Sequence, residues 1–121
     1  MKCEIFAQKQ VHATGYILIL GGWNNSVTVL ARLDEHAFGR LETMKKLVTI
    51  GKKHHFVIIR TDATIRWYLD GAFLMSFSDS KPLTGCFFGF NNWESDVYFD
   101  DLRIYDIDGK GSEPPIRSLF Q

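Results

Sequence analysis

Long apolar runs are absent from this 121-residue chain; the longest is the five-residue stretch Tyr16–Leu20. Five residues are too few for a signal-peptide core and far too few to span a bilayer as a helix. No signal peptide is therefore read, and the compartment stays open: extracellular or periplasmic if the chain is part of a longer secreted protein. Net charge is absent too. Fourteen Lys and Arg cancel fourteen Asp and Glu, so no global field draws in nucleic acid or anionic lipid, and no nucleic-acid partner is expected. Cysteine is scarce: Cys3 and Cys86 are the only two. Two thiols so far apart make no zinc site alone; they either close a disulfide or pack as small buried hydrophobes, the commoner outcome for a free thiol. No Gly-rich phosphate loop, nucleophile elbow or Cys–His pairing occurs, and Ser80 and Ser112 sit in polar loops without partners.

What the chain does have is aromatic bulk and two-residue alternation. Seventeen aromatics (10 Phe, 4 Tyr, 3 Trp) suit a sandwich or barrel, whose facing sheets need large side chains to fill the gap. A chain of this length buries about 60–70% of its unfolded surface as one domain, without disulfides. The clearest pattern runs from Lys53 to Ile107. Phe56, Ile58 and Arg60 alternate with Val57 and Ile59; Ile65, Trp67 and Leu69 follow, then Asp70-Gly71, then Phe73, Met75 and Phe77. Asp-Gly between alternating runs predicts a tight hairpin, because such a turn needs positive φ at its centre. Trp67 falls on the apolar face of its strand and is assigned to the core.

Elsewhere the strands are shorter. Lys2–Ala7 and Tyr16–Leu20 read as strands, the second apolar on both faces and so covered on each side. Val27, Val29, Ala31 and Leu33 form one face of the next strand, and Ser26, Thr28 and Arg32 form the other, expected to turn to water or a ligand. Asp34–Lys46 reads as a hairpin with irregular loops, and Leu47–Ile50 as a short strand. Gly85–Phe90 predicts a strand with Cys86, Phe88 and Phe90 on one face and Gly89 leaving room on the other. Asp96–Ile107 predicts a closing strand whose apolar phase changes at Asp100-Asp101, the mark of a bulge. The predicted domain is thus 1–108. Residues 109–121, opening on Gly-Lys-Gly-Ser-Glu-Pro-Pro, have linker composition and suggest neighbouring domains in a longer parent protein.

Four segments in this order carry a resemblance. They are Lys53–Arg60, Ile65–Gly71, Pro82-Leu-Thr-Gly85-Cys-Phe-Phe-Gly89-Phe90, and Val97-Tyr-Phe99-Asp100-Asp101-Leu-Arg-Ile104. Together they resemble the C-terminal half of concanavalin A-like lectin/glucanase jelly rolls, most closely the laminin G-like and 3-keto-disaccharide hydrolase-type members. The resemblance implies an all-β fold, an antiparallel β-sandwich of jelly-roll type, minimal or truncated at nine or ten strands. It also implies a carbohydrate ligand and no obligatory cofactor, with a structural Ca²⁺ as in related jelly rolls the one metal it admits. The β-glucan-cleaving branch carries Glu-x-Asp-x-x-Glu on one strand. Here Glu94-Ser95-Asp96 is followed by Phe99 where the third carboxylate belongs, so that catalysis is not supported.

Other chemistry reads as structure. Glycoside hydrolysis needs two carboxyls across one bond, but Asp34-Glu35 looks like a turn and Asp100-Asp101 like a fold motif. His54 and His55 point to opposite faces of a strand and cannot chelate one ion; with His36 they read as solvent-facing. Asp106-Ile107-Asp108-Gly109 lacks the further oxygen ligands of a calcium loop. One signal remains: Gly22-Trp23-Asn24-Asn25 and Asn91-Asn92-Trp93 each place a Trp beside an Asn pair. A sugar offers an apolar C–H face and a rim of hydroxyls, so its site needs an aromatic platform beside amides or Arg. The expected site is Trp23, Asn24, Asn25, Thr28, Arg32, Asn91, Asn92 and Trp93. The bland reading of each Trp is a cap on the core, with Asn supplying turn geometry. The function expected is a non-catalytic, lectin-like module for an oligo- or polysaccharide. The alternatives are a glycoside-processing enzyme domain using other carboxylates, and a laminin G-like protein-binding or structural module.

Overall fold

The computed structural model describes residues 1–105 and shows an all-β protein of two antiparallel sheets packed face to face. In chain order the elements are β1 (Lys2–Ala7), β2 (Tyr16–Gly21), a four-residue helical turn α1 (Gly22–Asn25), β3 (Val27–Arg32), β4 (Leu41–Thr43), β5 (Phe56–Thr61), β6 (Thr64–Leu69), β7 (Ala72–Ser78) and β8 (Phe87–Asn91). One sheet has five strands in the order β4-β3-β2-β1-β8, the other three in the order β5-β6-β7. Among the described residues no helix is long and apolar enough to cross a membrane.

The hairpin signals hold. Asp70 (φ 52) and Gly71 (φ 83) both take positive φ in the two-residue turn between β6 and β7, where Leu69 pairs with Ala72. The filling between the sheets joins Cys3, Tyr16, Leu18, Leu20 and Leu30 of the larger sheet to Ile65, Trp67, Leu69 and Met75 of the smaller. Trp67 is fully buried, as its alternation predicts, with its ring 5.2 Å from that of Phe56.

A second apolar cluster (Ile17, Ile19, Val29 and Ala31) lies on the opposite face of the five-stranded sheet and is also buried. Antiparallel partners share a face, so the pairs Ile17↔Ala31 and Ile19↔Val29 lie beside Glu4↔Ile17 and Lys2↔Ile19 on that outer surface. Charged groups from the segments on either side gather there. Lys2 Nζ reaches Glu35 at 2.9 Å, and His12 lies 2.8 Å from Glu4 and 3.6 Å from Glu35. Burial pushes the Glu35 carboxyl up, but Lys2 and His12 outweigh it and hold it below its ordinary value.

Several expectations need correction. β2 is covered on both faces, as its two-sided apolar run predicts, but so is β3, whose alternation therefore does not tell which face looks outward. Thr28, Leu30 and Arg32 turn to the filling between the sheets, the side on which Leu18 pairs with Leu30 and Tyr16 with Arg32. Residues 47–50 form no strand, because side chains of α1, β3 and His54 take up backbone groups of 46–49 instead. The described part of the expected closing strand, residues 96–105, forms no strand; its β pairing is a single bridge at Ile104. The left-handed backbone at Asp101 (φ 58) falls where the phase change is, and Phe99 stacks on Phe90 at 4.5 Å. The bulge in the larger sheet lies in β1, between Glu4 and Ala7, with Phe6 at φ 52. Cys3 and Cys86 are both free; Cys3 is buried, which pushes its thiol up to about 12, while Cys86 sits before β8 and is exposed rather than inward. The predicted linker 109–121 and the Asp106–Gly109 segment lie outside the described residues.

Candidate functional site

The chain between β2 and β3 reverses through an unusual turn. Gly21 (φ 66), Trp23 (φ 47), Asn24 (φ 58) and Asn25 (φ 58) all occupy the left-handed region. Glycine is required first: a Cβ on Gly21 would lie 2.3 Å from Asn25 Oδ1 and 2.7 Å from Val48 Cγ2. Asn tolerates this backbone, but a bulky indole does not adopt it freely, and such residues cost on the order of 1–3 kcal/mol. Asn25 holds the turn by two bonds to one residue, its Nδ2 donating to Val48 O and its Oδ1 accepting from Val48 N, each at 2.8 Å. Ser26 Oγ closes the turn on Trp23 O at 2.6 Å. The strained residue is thus imposed by its neighbours, and it presents the indole toward the segment that follows β3.

There the side chain forms one wall of an open cleft of about 450 Å³, lined by Trp23, His36, Ala37, Phe38, Arg40 and Glu42. Trp23 is 41% exposed and Phe38 fully exposed. The Arg40 guanidinium carbon lies 4.5 Å from the indole centroid, and the His36 ring meets the indole edge-on at 5.6 Å. Arg40 is fixed twice more: its Nε donates to Glu42 Oε2 at 3.0 Å and its Nη1 to Glu35 O at 2.7 Å. An aromatic platform, a second exposed ring and a planar cation–carboxylate pair therefore share one concavity. Chemically this combination stacks on an apolar face and offers donors and acceptors at its rim. A single carboxylate, Glu42, lines it.

The other expected site residues are not gathered here. Thr28 is fully buried, its hydroxyl donating to Lys46 O at 2.5 Å and accepting from Gly21 N at 3.1 Å. The reading of Thr28 as a ligand-facing residue is corrected accordingly. Arg32 is committed to Asp79, with Nε 2.7 Å from Oδ2, and to Lys81 O at 2.9 Å. Trp93 is 82% exposed, but it follows β8, which sits at the far edge of the sheet beyond β1. Ile19 and Asn91 both pair with Lys2, so the two Trp turns lie at the same end of the sheet, with β1 between their strands. Asn91 and Asn92 serve their own turn: Asn91 Oδ1 accepts from Asn92 N at 2.6 Å, and the Asn92 amide exchanges hydrogen bonds with Ser95. Of the eight predicted residues, Trp23 lines the cleft, Asn25 builds its turn and Asn24 stands exposed beside it.

Phe38, Arg40 and Glu42 were missed. They fall in the segment whose alternation is weakest, where nothing in the sequence around Phe38 tells its exposure. His54 is another correction. Its side chain is 2% exposed, not solvent-facing. Nε2 accepts from Thr49 N at 3.1 Å, so the proton sits on Nδ1, which faces Asp70 Oδ2 at 2.9 Å. With both nitrogens engaged, His54 is a strut rather than a base. Partial burial pushes Asp70 up, but bonds from His55 N, His54 and Lys52 outweigh it and hold its carboxyl at about 2. Among the described residues no group of three His, Cys, Asp or Glu is placed to hold a metal ion.

A family model described as a domain of unknown function (DUF6250) matches residues 6–102, most of the length of the chain, and the chain belongs to that family. No curated protein and no solved structure matches it.

Proposed function

We propose that this DUF6250 domain is a non-catalytic carbohydrate-binding module of the concanavalin A-like kind, whose site is the Trp23 cleft. One observation carries the reading: a strained, clamped backbone holds an indole half open to solvent, in one cleft with an exposed Phe38 and the Arg40–Glu42 pair. Backbone strain maintained by surrounding contacts is a feature of ligand clamps. The cleft is open to solvent, which suits a hydrated sugar ring better than an apolar ligand needing near-complete enclosure. The non-catalytic part rests on the carboxylates. Glycosidic bond cleavage requires two flanking the bond, whereas the cleft wall supplies Glu42 alone, already bonded to Arg40.

A screen of immobilised oligosaccharides, followed by calorimetry on the best ligand, tests this. Trp23→Ala and Phe38→Ala are expected to weaken binding roughly fivefold or more each, the loss of an aromatic anchor costing upward of about 1 kcal/mol. Trp93→Ala is expected to leave it unchanged. Hydrolysis of the bound oligosaccharide, or full-strength binding by both cleft variants, would overturn the reading.

A further inference from the structure

A formal charge of zero conceals a local segregation. Between positions 40 and 53 the chain carries Arg40, Lys45, Lys46, Lys52 and Lys53 against a single acid, Glu42. Residues 44–53 connect β4 to β5 as an irregular lobe whose backbone is tied down from behind. Thr28 Oγ1 holds Lys46 O at 2.5 Å, Asn25 brackets Val48, and His54 Nε2 takes the Thr49 N–H. Lys52 N then donates to Thr49 O at 3.1 Å, closing a turn with Ile50 and Gly51 (φ 79) at its tip.

On this fixed frame Ile50 is 95% and Met44 76% exposed. Lys45, Lys46 and Lys53 are exposed and make no ion pair among the described residues, while Lys52 reaches Asp70 at 3.3 Å. An aliphatic side chain left in water contributes nothing to the fold, whereas burying it in an apolar phase is favourable. We propose that the 44–53 lobe docks on an anionic lipid surface. Ile50 and Met44 enter the boundary between headgroups and acyl chains, and Lys45, Lys46 and Lys53 meet the negative headgroups. A membrane interface engages both terms at once, the apolar one at the acyl boundary and the electrostatic one at the headgroups. A soluble acidic polysaccharide would engage the lysines and leave the aliphatic tips in water. The proposal is independent of the glycan reading, since neither Ile50 nor Met44 lines the Trp23 cleft.

Co-sedimentation of the full chain with phosphatidylcholine vesicles, with and without phosphatidylserine, tests it. Pelleting is expected only on the phosphatidylserine vesicles. Lys45→Gln and Lys46→Gln should each reduce partitioning roughly fivefold, the equivalent of about 1 kcal/mol per basic residue near the surface. Ile50→Ser should reduce it as well, and Ile50→Trp should show emission shifted to the blue when those vesicles are added. All three positions are exposed, so the fold is retained in each variant. Equal pelleting on neutral vesicles, indifference to these substitutions, or Lys45- and Lys46-dependent binding to a soluble acidic polysaccharide without vesicle binding would overturn it.

Discussion

Tyr16 donates its phenolic hydrogen to Asp79 Oδ2 at 2.7 Å, joining the start of β2 to the segment after β7, sixty-three residues later in the chain. The same carboxylate takes Arg32 Nε at 2.7 Å and, through Oδ1, Lys81 N at 2.8 Å, while Leu83 N donates back to the Tyr16 oxygen at 2.9 Å. One buried acid thus ties the larger sheet to the exit of the smaller one. Tyr16→Phe strands the Leu83 N–H and removes a donor from Asp79, so it should cost about 1–3 kcal/mol. Asp79→Ala leaves Arg32 half buried without its partner and should cost more than Tyr16→Phe. Urea denaturation of both variants checks the order.

Stability should fall in acid. The Asp70 carboxyl is held at about 2 and that of Asp79 below its ordinary value; in each, burial works upward and is outweighed, at Asp79 by Tyr16, Arg32 and the Lys81 N–H. A folded value below the unfolded one, about 3.9 for Asp, means the contribution is complete above that value and is lost as pH drops through the folded one. The urea midpoint is therefore expected to be flat, as far as these groups govern it, above about pH 5 and to decline from about pH 4 toward 2. Asp70→Asn should make that decline shallower; an equal slope in the variant would contradict the assignment.

Trp67 offers a test of the filling. Its indole N–H is buried without a hydrogen-bond partner among the described residues. Trp67→Ala empties the centre of the sandwich and should cost about 3–5 kcal/mol. Trp67→Phe also removes an unsatisfied donor, a group that itself costs about 1–3 kcal/mol when buried. Its measured loss should therefore be much smaller than the change in volume suggests.

Two glycines predict opposite outcomes. A Cβ on Gly85 would sit 1.9 Å from Ala7 O, whereas one on Gly89 meets nothing within 4 Å. Gly85→Ala must push β1 away from the segment preceding β8 and should cost about 1–3 kcal/mol or more. Gly89→Ala should be neutral or slightly stabilising, by up to about 1 kcal/mol. Thermal melts of the pair separate the two.

How much of this was legible in the chain depends on how far apart the partners are. β5, β6 and β7 follow from local pairing: the Asp70-Gly71 turn and period-two runs on either side suffice, and Trp67 lands in the core as its parity demands. The contacts that organise the larger sheet are remote. Nothing near Asp79 announces Tyr16, and nothing near Asn25 announces Val48. Thr28 and Arg32 misled because a polar strand face normally looks to water, whereas both sheet faces are covered here and each polar group has a specific partner inside. Trp23 and its Asn pair were visible because left-handed turns favour Asn and Gly. The rest of the cleft was hidden in a segment without periodicity, where a Phe on the surface looks the same in sequence as a Phe in the core. Trp93 shares the composition of the Trp23 turn but follows a different strand, β1 away.

The most direct test of the carbohydrate reading is an amide and side-chain NMR titration with the oligosaccharide selected by screening. The account predicts shifts concentrated at the Trp23 indole N–H, the Arg40 Nε–H and the Phe38 and His36 backbone, with the Trp67 and Trp93 indoles unmoved. Shifts centred on Trp93 with the Trp23 and Arg40 signals unchanged would contradict it.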